Sequence, residues 1–381
     1  MRWRNLAYLG ALSLCLEIAA GEVAFWIQNA LLTPLRGPDF YIYYASSLQL
    51  LRSGPGSAYD LAYVLLPQIL PPWVTLAFYP LGLLPFRAAY LAWGATILVL
   101  VAAAILVLVR AAGLRGRSAV LASAAAAASL PLFVLLVQGQ SDAPMLLALA
   151  AAGLAWVRRR PAWAGAFAAL ALVKPQLMVL VPALFLVRRS WPALGAFAGV
   201  AAGLALVSLL VFGLRACLDW LSIVAPWAVS GGGGYSVNAQ STYSLRGLLQ
   251  LLPLPAGVQV VVVAAGLLAV AFVMLRTRAD PRLQFALAVA GSVALSLYQH
   301  AHDLSLLVVP GLLLAGALPA LRRPRLGAAL LAGGWLALEL LIMAPAVTAL
   351  AIVALTVFLA WECWGDRPAP VSEPNALPLA A

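Results

Sequence analysis

The hydrophobic positions of this chain form long apolar runs that are separated by short clusters of arginine. A helix needs about 20 apolar residues to cross a bilayer, and the pattern predicts twelve crossings, several of them short, with boundaries good to about ±4 residues. Their approximate ranges are 6–27, 88–110, 118–137, 142–157, 161–173, 176–187, 193–213, 256–275, 283–298, 303–320, 326–343 and 346–362. The alternation typical of a β-barrel is absent, so the predicted fold class is an all-α polytopic membrane protein.

The apolar run "FAALALVKPQLMVLVPALFLV" (167–187) has a lysine, Lys174, in its middle. Arginines precede this region at 158–160 and follow it at 188–189, and the 27 residues between these clusters are too few for two full spans. Because a proline ends a helix, the sequence predicts two half-length helices that meet at Lys174-Pro175. Lys174 would then lie at the outer apex, in a cavity and not in lipid.

The first loop on the outer side, about 28–87, is predicted to lie along the membrane surface. Apolar residues recur at helical spacing after Asp39, which favours a short amphipathic helix. They are Tyr41, Tyr44, Leu48 and Leu51. The stretch "PPWVTLAFYPLGLLPF" (71–86) is apolar, but its four prolines favour an interfacial or re-entrant segment over a straight span.

The composition agrees with a membrane protein. Of the 381 residues, 65% are hydrophobic and 9% are charged, and the mean hydropathy is +1.01. Soluble proteins carry far more charge. We expect one transmembrane domain, residues 1–365, followed by a disordered cytoplasmic tail at 366–381. The cysteines, Cys15, Cys217 and Cys363, fall in different runs, so no disulfide is expected.

The net charge of +11 comes from arginines that cluster between the apolar runs. This distribution is the positive-inside signature of a membrane protein and argues against a nucleic-acid partner. With the amino terminus in the cytoplasm, 17 of the 23 basic residues lie on the cytoplasmic side. The six on the outer side are Arg36, Arg52, Arg87, Lys174, Arg215 and Arg246. Both termini are therefore expected in the cytoplasm.

Polar and ionisable residues gather in the predicted outer loops. They are Asp39, Gln140, Asp142, Lys174, Gln176, Arg246, His300, His302 and Asp303. Simpler explanations exist, since Asp39 and Asp142 could be helix N-caps and Lys174 could extend to the lipid headgroups. The two histidines could be ordinary interfacial residues. The convergence of all of them on one side favours a functional site.

Such a set of residues suits the transfer of a sugar that is linked to a lipid phosphate. A carboxylate can deprotonate a hydroxyl nucleophile, and a lysine or arginine can hold a departing phosphate. A groove between membrane helices suits a polyprenyl chain. No compact cluster of metal ligands is visible in the sequence, so we expect a metal-independent enzyme with no cofactor.

Five segments resemble, in order, the polyprenol-phosphate-sugar-dependent enzymes of glycosyltransferase family 87, of which mannosyltransferases are the best-known type. They are "GPDFYIYYASSLQLLRSG…AYD", "PPWVTLAFYPLGLLPF", "GQSDAPMLLALAAAGLAWVRRRPAWAGAFAALALVKPQLMVLVPALFLVRR", "NAQSTYSLRGLL" and "YQHAHDLSLLVVP", and they cover about residues 37–310. The resemblance implies the glycosyltransferase C (GT-C) fold, with about 12 transmembrane helices (11–13) and interfacial helices in the first outer loop.

The resemblance also implies roles for individual residues. Asp39 would be the general base for the acceptor hydroxyl, and Lys174 would contact the donor phosphate. The other residues that would bind the donor phosphate or sugar are Gln140, Asp142, His300, His302 and Arg246, and those of the substrate groove are Tyr43, Tyr44, Gln176 and Asp303. The position of Asp142 is often asparagine in the family, which leaves open a metal or a different sugar preference.

The expected activity is that of an inverting hexosyltransferase in a bacterial inner membrane, with its active site facing the exterior. It would move a sugar, mannose being the family's best-known one, from a polyprenyl-phosphate donor to a hydroxyl of a lipid or glycan acceptor. The expected partners are therefore these two substrates and membrane lipids, without nucleic acid.

Other functions are left open by the sequence. A transporter or flippase for a lipid-linked sugar would share the groove and the outer charges, but would more typically show internal repeats. A lipid A or protein glycosyltransferase of the same fold typically has a paired acid where this chain has Asp39-Phe40. A non-catalytic assembly subunit would not need both Asp39 and Lys174.

Overall fold

The computed structural model describes residues 2–32, 38–57, 59, 69–230, 242–277, 279–341 and 344–364. Within these ranges the regular structure is helical throughout, which confirms the predicted all-α polytopic class. The α-helices are α1 (Arg2–Leu32), α2 (Pro38–Ser53), α3 (Pro72–Phe78), α4 (Phe86–Ala112), α5 (Gly116–Ala127), α6 (Leu130–Gln138), α7 (Asp142–Val157), α8 (Pro161–Leu170), α9 (Leu180–Val187), α10 (Trp191–Ser230), α11 (Leu245–Leu249), α12 (Ala256–Arg276), α13 (Pro281–Ala294), α14 (Val308–Ala317), α15 (Pro324–Leu341) and α16 (Pro345–Cys363).

Every predicted crossing coincides with a helical segment, but several of these segments are not single straight α-helices. The crossing predicted at 118–137 is a bent pair, because α5 and α6 meet at an angle of 46°. The crossing predicted at 193–213 lies in α10, which continues beyond a break at Gly213 (φ 79°). The crossing predicted at 303–320 begins as a 3-10 helix, Ala301–Leu307, before α14.

Six of the described helical segments are long and apolar enough to cross a membrane, and the bent α5–α6 pair would be a seventh. The six are Asn5–Leu32, Phe86–Ala112, Trp191–Ala225, Ala256–Arg276, Ala301–Ala320 and Pro345–Cys363. By contrast, α7 and α8 have 16 and 10 residues. At 1.5 Å per residue these helices are about 24 and 15 Å long, shorter than a hydrocarbon core of about 30 Å.

The region around Lys174 contains two half-length helices, as predicted. The first half, α8, ends at Leu170, and the second half, α9, begins at Leu180. A 3-10 turn at Pro175–Leu177 lies between them. Lys174 itself has a non-helical backbone (φ −134°, ψ 84°), because a residue that precedes proline is disfavoured in the α region. This break places the lysine in the non-helical stretch between the two half-helices.

The core of the bundle is built around α13, in which residues 283–294 are all buried. Helix α7 packs against α4 and α8, and it also contacts α13. A Cβ atom at Gly153 of α7 would lie 3.1 Å from the ring of Phe285 on α13, so the small residue permits this close approach. Tight packing in the core therefore fixes the position of the first residue of α7, Asp142.

The first outer loop contains a helix at the predicted place, but its buried side differs from the predicted apolar side. The buried residues of α2 are Phe40, Tyr43, Ser46, Ser47 and Leu50, whereas Tyr41 is exposed and Tyr44, Leu48 and Leu51 are half-buried. Helix α3 and a 3-10 turn at Tyr79–Leu83 pack against α2. Because this second segment covers one side of α2, tertiary packing and not sequence periodicity decides which residues are buried.

Two further expectations concern the ends and the cysteines of the chain. All three cysteines are free thiols, as predicted. The predicted tail at 366–381 and the glycine-rich stretch at 231–234 lie outside the described residues.

Candidate active site

The turn between α6 and α7, residues 138–142, is the centre of the candidate site. Gly139 ends α6 with φ 64°, a left-handed conformation that glycine adopts without strain. A Cβ atom at this position would lie only 2.7 Å from Phe40 Cβ of α2. Trp93 of α4 donates a hydrogen bond from Nε1 to the Gly139 carbonyl (2.8 Å). The turn is therefore held between α2 and α4.

Gln140 joins the predicted base to the predicted phosphate ligand. Its Nε2 donates to Asp39 Oδ2 (2.6 Å), and its Oε1 accepts from the Tyr43 hydroxyl (2.7 Å). Lys174 Nζ lies 3.5 Å from the same Oε1. Burial raises the pKa of Tyr43, so its hydroxyl remains a donor at neutral pH. Because Oε1 faces hydrogen-bond donors, the amide nitrogen of Gln140 must face the Asp39 carboxylate.

Lys174 is buried between two carboxylates. Its Nζ lies 2.7 Å from Asp303 Oδ1 and 2.9 and 3.0 Å from the two oxygens of Asp142. Only 8% of the residue is exposed. Burial by itself lowers the pKa of Lys174, but the carboxylates of Asp142 and Asp303 outweigh it and raise the pKa above its ordinary value. Lys174 is therefore a charged residue of the protein interior and does not extend to the headgroups.

The turn that contains His300, His302 and Asp303 completes the cluster around Lys174. Asp303 Oδ2 accepts a hydrogen bond from the backbone N–H of His300 (2.6 Å), which fixes the start of the 3-10 helix. His302 Nδ1 lies 2.7 Å from Gln138 Oε1. Its other ring nitrogen, Nε2, lies 3.4 Å from Asp303 Oδ1 and 3.9 Å from Asp142 Oδ2. Tyr298 hydrogen-bonds through its hydroxyl to His300 Nε2.

The sequence left open that Asp39 and Asp142 are helix N-caps, but both lie inside the first turn of their helices. Asp142 is the first residue of α7, and its carboxylate contacts Lys174. Asp39 follows Pro38, the first residue of α2, and its carboxylate accepts from Gln140. Both carboxylates lie in the first turn of a helix, where the helix dipole stabilises negative charge.

Three other predicted site residues, Tyr44, Gln176 and Arg246, lie outside the group of side chains around Lys174. The Tyr44 hydroxyl donates to the Leu84 carbonyl (2.8 Å), so Tyr44 faces another side of α2 than Tyr43. Gln176 is half-buried in the turn after Lys174. Arg246 donates from Nη1 to the Leu297 carbonyl (3.0 Å), and burial lowers its pKa.

The sequence assigned no role to Gln138, which contacts the cluster through His302. It is the last residue of α6 and orients the ring of His302. The alternating polar positions of the turn, at 138, 140 and 142, carry the signal that could have identified it. Gln138 contacts His302, Gln140 contacts Asp39 and Asp142 contacts Lys174, so one turn supplies three partners.

The fold also brings together a possible set of metal ligands that is scattered along the sequence. Asp142, His302 and Asp303 each offer a ligand atom, and these atoms lie within 4.8 Å of one another. The three residues form no compact cluster in the sequence, because Asp142 lies about 160 residues from the other two. The ammonium of Lys174 occupies the space beside both carboxylates. That the enzyme works without a metal stays a prediction.

The fold and the site define a helical membrane protein with a buried cluster of acidic, basic and amide side chains at the ends of its helices. Residues 69–310, more than half of the chain, match glycosyltransferase family 87. The chain therefore belongs to this family and is a membrane glycosyltransferase. The match includes Gln140, Asp142, Lys174 and Asp303 but begins after Asp39. No curated protein matches the chain.

Proposed function

We propose that this membrane glycosyltransferase moves a sugar from a polyprenyl-phosphate donor to a hydroxyl of a lipid or glycan acceptor on the non-cytoplasmic side. The observation that carries the proposal is the linkage of Asp39 to Lys174 through one side chain, Gln140. The proposed base and the proposed phosphate ligand therefore contact the same amide. Mannose is the sugar that we propose, on the basis of the family resemblance.

Asp39 would act as the general base. Among the described residues, Gln140 donates to Asp39 at Oδ2, so we assign Oδ1 as the oxygen that receives the proton of the acceptor hydroxyl. The acceptor oxygen would then attack the anomeric carbon while the bond from this carbon to the phosphate oxygen breaks. Attack from the side opposite to the phosphate inverts the configuration. The proton ends on Asp39, and polyprenyl phosphate leaves.

Lys174 would stabilise the leaving phosphate, whose negative charge increases when the bond to the sugar breaks. The ammonium has three N–H groups, and its neighbours are the carboxylates of Asp142 and Asp303 and the more distant Oε1 of Gln140. A phosphate oxygen can replace Gln140 most easily, because that contact is the longest at 3.5 Å. Gln140 Oε1 would keep its hydrogen bond from Tyr43. This arrangement would hold the phosphate beside Asp39.

The decisive experiment uses the full-length protein in lipid nanodiscs with a panel of polyprenyl-phosphate sugars and a lipid extract as acceptor. We expect one donor to be consumed, with a glycosylated product that mass spectrometry identifies. Release of polyprenyl phosphate without a glycosylated product, or no turnover of any donor, would contradict the proposed reaction. Movement of an intact donor between the leaflets without turnover would instead support a flippase.

A further inference from the structure

We infer that Asp142, His302 and Asp303 form a binding site for a divalent transition-metal ion such as Mn²⁺ or Zn²⁺, in competition with the ammonium of Lys174. Such a site departs from the sequence-based expectation of a metal-independent enzyme.

The spacing of the three side chains fits an ion. Four ligand atoms around an ion with bonds of about 2.0–2.1 Å lie roughly 3.4 Å apart. His302 Nε2 lies 3.4 Å from Asp303 Oδ1 and 3.9 Å from Asp142 Oδ2. Small movements of the carboxylates would bring all three atoms to bonding distance. One imidazole and two carboxylates suit Mn²⁺ or Zn²⁺ better than Ca²⁺, which prefers oxygen ligands alone.

The orientation of His302 is the one found for metal-binding histidines. Such a histidine usually donates its other ring N–H to an oxygen, which leaves a lone pair directed at the metal. Here Nδ1 lies 2.7 Å from Gln138 Oε1, an oxygen that can only accept. The proton is therefore on Nδ1, and the lone pair of Nε2 faces two carboxylates. A cation between these three groups would remove the electrostatic repulsion between the Nε2 lone pair and the carboxylate oxygens.

A second observation points to the same place. Asp142 is completely buried, and its Oδ1 accepts no hydrogen bond from the described residues, although Lys174 Nζ lies 2.9 Å away. One ammonium lies between two acidic side chains, so a single cation serves both carboxyl groups. An ion with two positive charges that contacts both oxygens of Asp142 would satisfy Oδ1, which the ammonium leaves without a hydrogen bond, and would also be bound by Oδ2, the oxygen that faces His302 Nε2.

Lys174 and the ion would exclude each other, because both need the same oxygens of Asp142 and Asp303. The side chain of lysine is long and flexible, so its ammonium can withdraw toward Gln140, 3.5 Å away. This step rests on the proposed function: the released ammonium and the ion would together bind the donor phosphate.

The test measures metal binding without any sugar donor, so its outcome is independent of glycosyl transfer. Full-length protein in nanodiscs is freed of metal with a chelator and titrated with MnCl₂, while electron paramagnetic resonance follows the free ion. We expect one Mn²⁺ per chain, displaced by ZnCl₂. Asp142→Asn and His302→Gln should each weaken binding at least tenfold. Lys174→Met should strengthen binding at least tenfold, because the competing charge is gone.

The control is Asp219→Asn, a carboxylate that is half exposed and lies 4.0 Å from Arg215. Its affinity for Mn²⁺ should equal that of the wild type. His302→Gln keeps both ion pairs of Lys174, so this variant tests the site even if Lys174→Met does not fold. The inference is overturned if the wild type binds no Mn²⁺, or if His302→Gln or Asp142→Asn binds it as tightly as the wild type.

Discussion

At the residue scale, Gln140 is the side chain on which the candidate site depends. Its amide donates to Asp39 and accepts from Tyr43, and its oxygen also lies 3.5 Å from Lys174 Nζ. An amide can hold a carboxylate and an ammonium at once because it has a donor and an acceptor. The base and the cation are therefore positioned relative to each other by one uncharged group.

Replacement of Asp39 by asparagine should abolish transfer. The variant keeps the shape of the side chain but cannot accept the proton of the acceptor hydroxyl, and general base catalysis typically contributes about 10²–10⁴-fold. We expect the rate constant for transfer to fall by at least about 100-fold, while the affinity for the donor stays near that of the wild type. Single-turnover transfer and donor binding are the two measurements. Full activity would contradict the assignment of Asp39.

Replacement of Lys174 by alanine should affect both binding and stability. Loss of the ammonium leaves Asp142 and Asp303 buried without a counter-charge, which typically costs about 3–5 kcal/mol. We expect a lower free energy of unfolding and a weaker affinity for the donor. Arg215→Ala is the matched control, because Arg215 is almost fully exposed and its ion pair is long.

The two readouts of the Lys174→Ala variant separate a structural from a functional role. A folded variant with an unchanged affinity for polyprenyl-phosphate sugar would contradict a contact between Lys174 and the phosphate. A variant with the same free energy of unfolding as the wild type would contradict a stabilising role of the buried ion pairs.

At the element scale, the site forms where helices end. Asp39 and Asp142 lie in the first turns of α2 and α7, and Lys174 lies between the half-helices α8 and α9. The sequence predicted the break at Lys174 correctly, because flanking arginines and a proline are local signals. It did not predict which side of α2 is buried, because that depends on α3, which packs against it.

Replacement of Gly139 by alanine should disturb the turn that carries Gln140. A left-handed backbone costs a residue with a Cβ atom about 1–2 kcal/mol, and the new atom would also lie 2.7 Å from Phe40 Cβ. Gly116→Ala is the matched control, because Gly116 has a similar φ (54°) but no atom within 4 Å of the added Cβ. We expect Gly139→Ala to lower transfer and thermal stability more than Gly116→Ala. Equal effects would show that contact with Phe40 is unimportant.

At the scale of the whole molecule, the arginine clusters predict the orientation of the bundle. With the amino terminus in the cytoplasm, the turns that carry Asp39, Gln140 and Lys174 would face the exterior. The orientation matters for the proposed reaction, because lipid-linked sugars supply glycosyl groups where nucleotide sugars are absent.

Orientation can be measured with a membrane-impermeant maleimide. In a variant without Cys15, Cys217 and Cys363, Tyr235→Cys should react in right-side-out vesicles, because this position lies in a predicted outer loop. Arg115→Cys, in a predicted cytoplasmic turn, should react only after the vesicles are permeabilised. The reverse labelling would overturn the predicted topology.

The sequence by itself determined the helical class, the places of the helices and the break at Lys174, because apolar runs, arginines and prolines act over short distances along the chain. It also identified Asp39, Gln140, Asp142, Lys174 and Asp303 as candidates. Only the tertiary structure decided how they pair. Lys174 contacts Asp142 across 32 residues and Asp303 across 129 residues, and no local signal encodes contacts between such distant positions. Packing of the helices around α13 brings these charges together, so the site is a product of the fold.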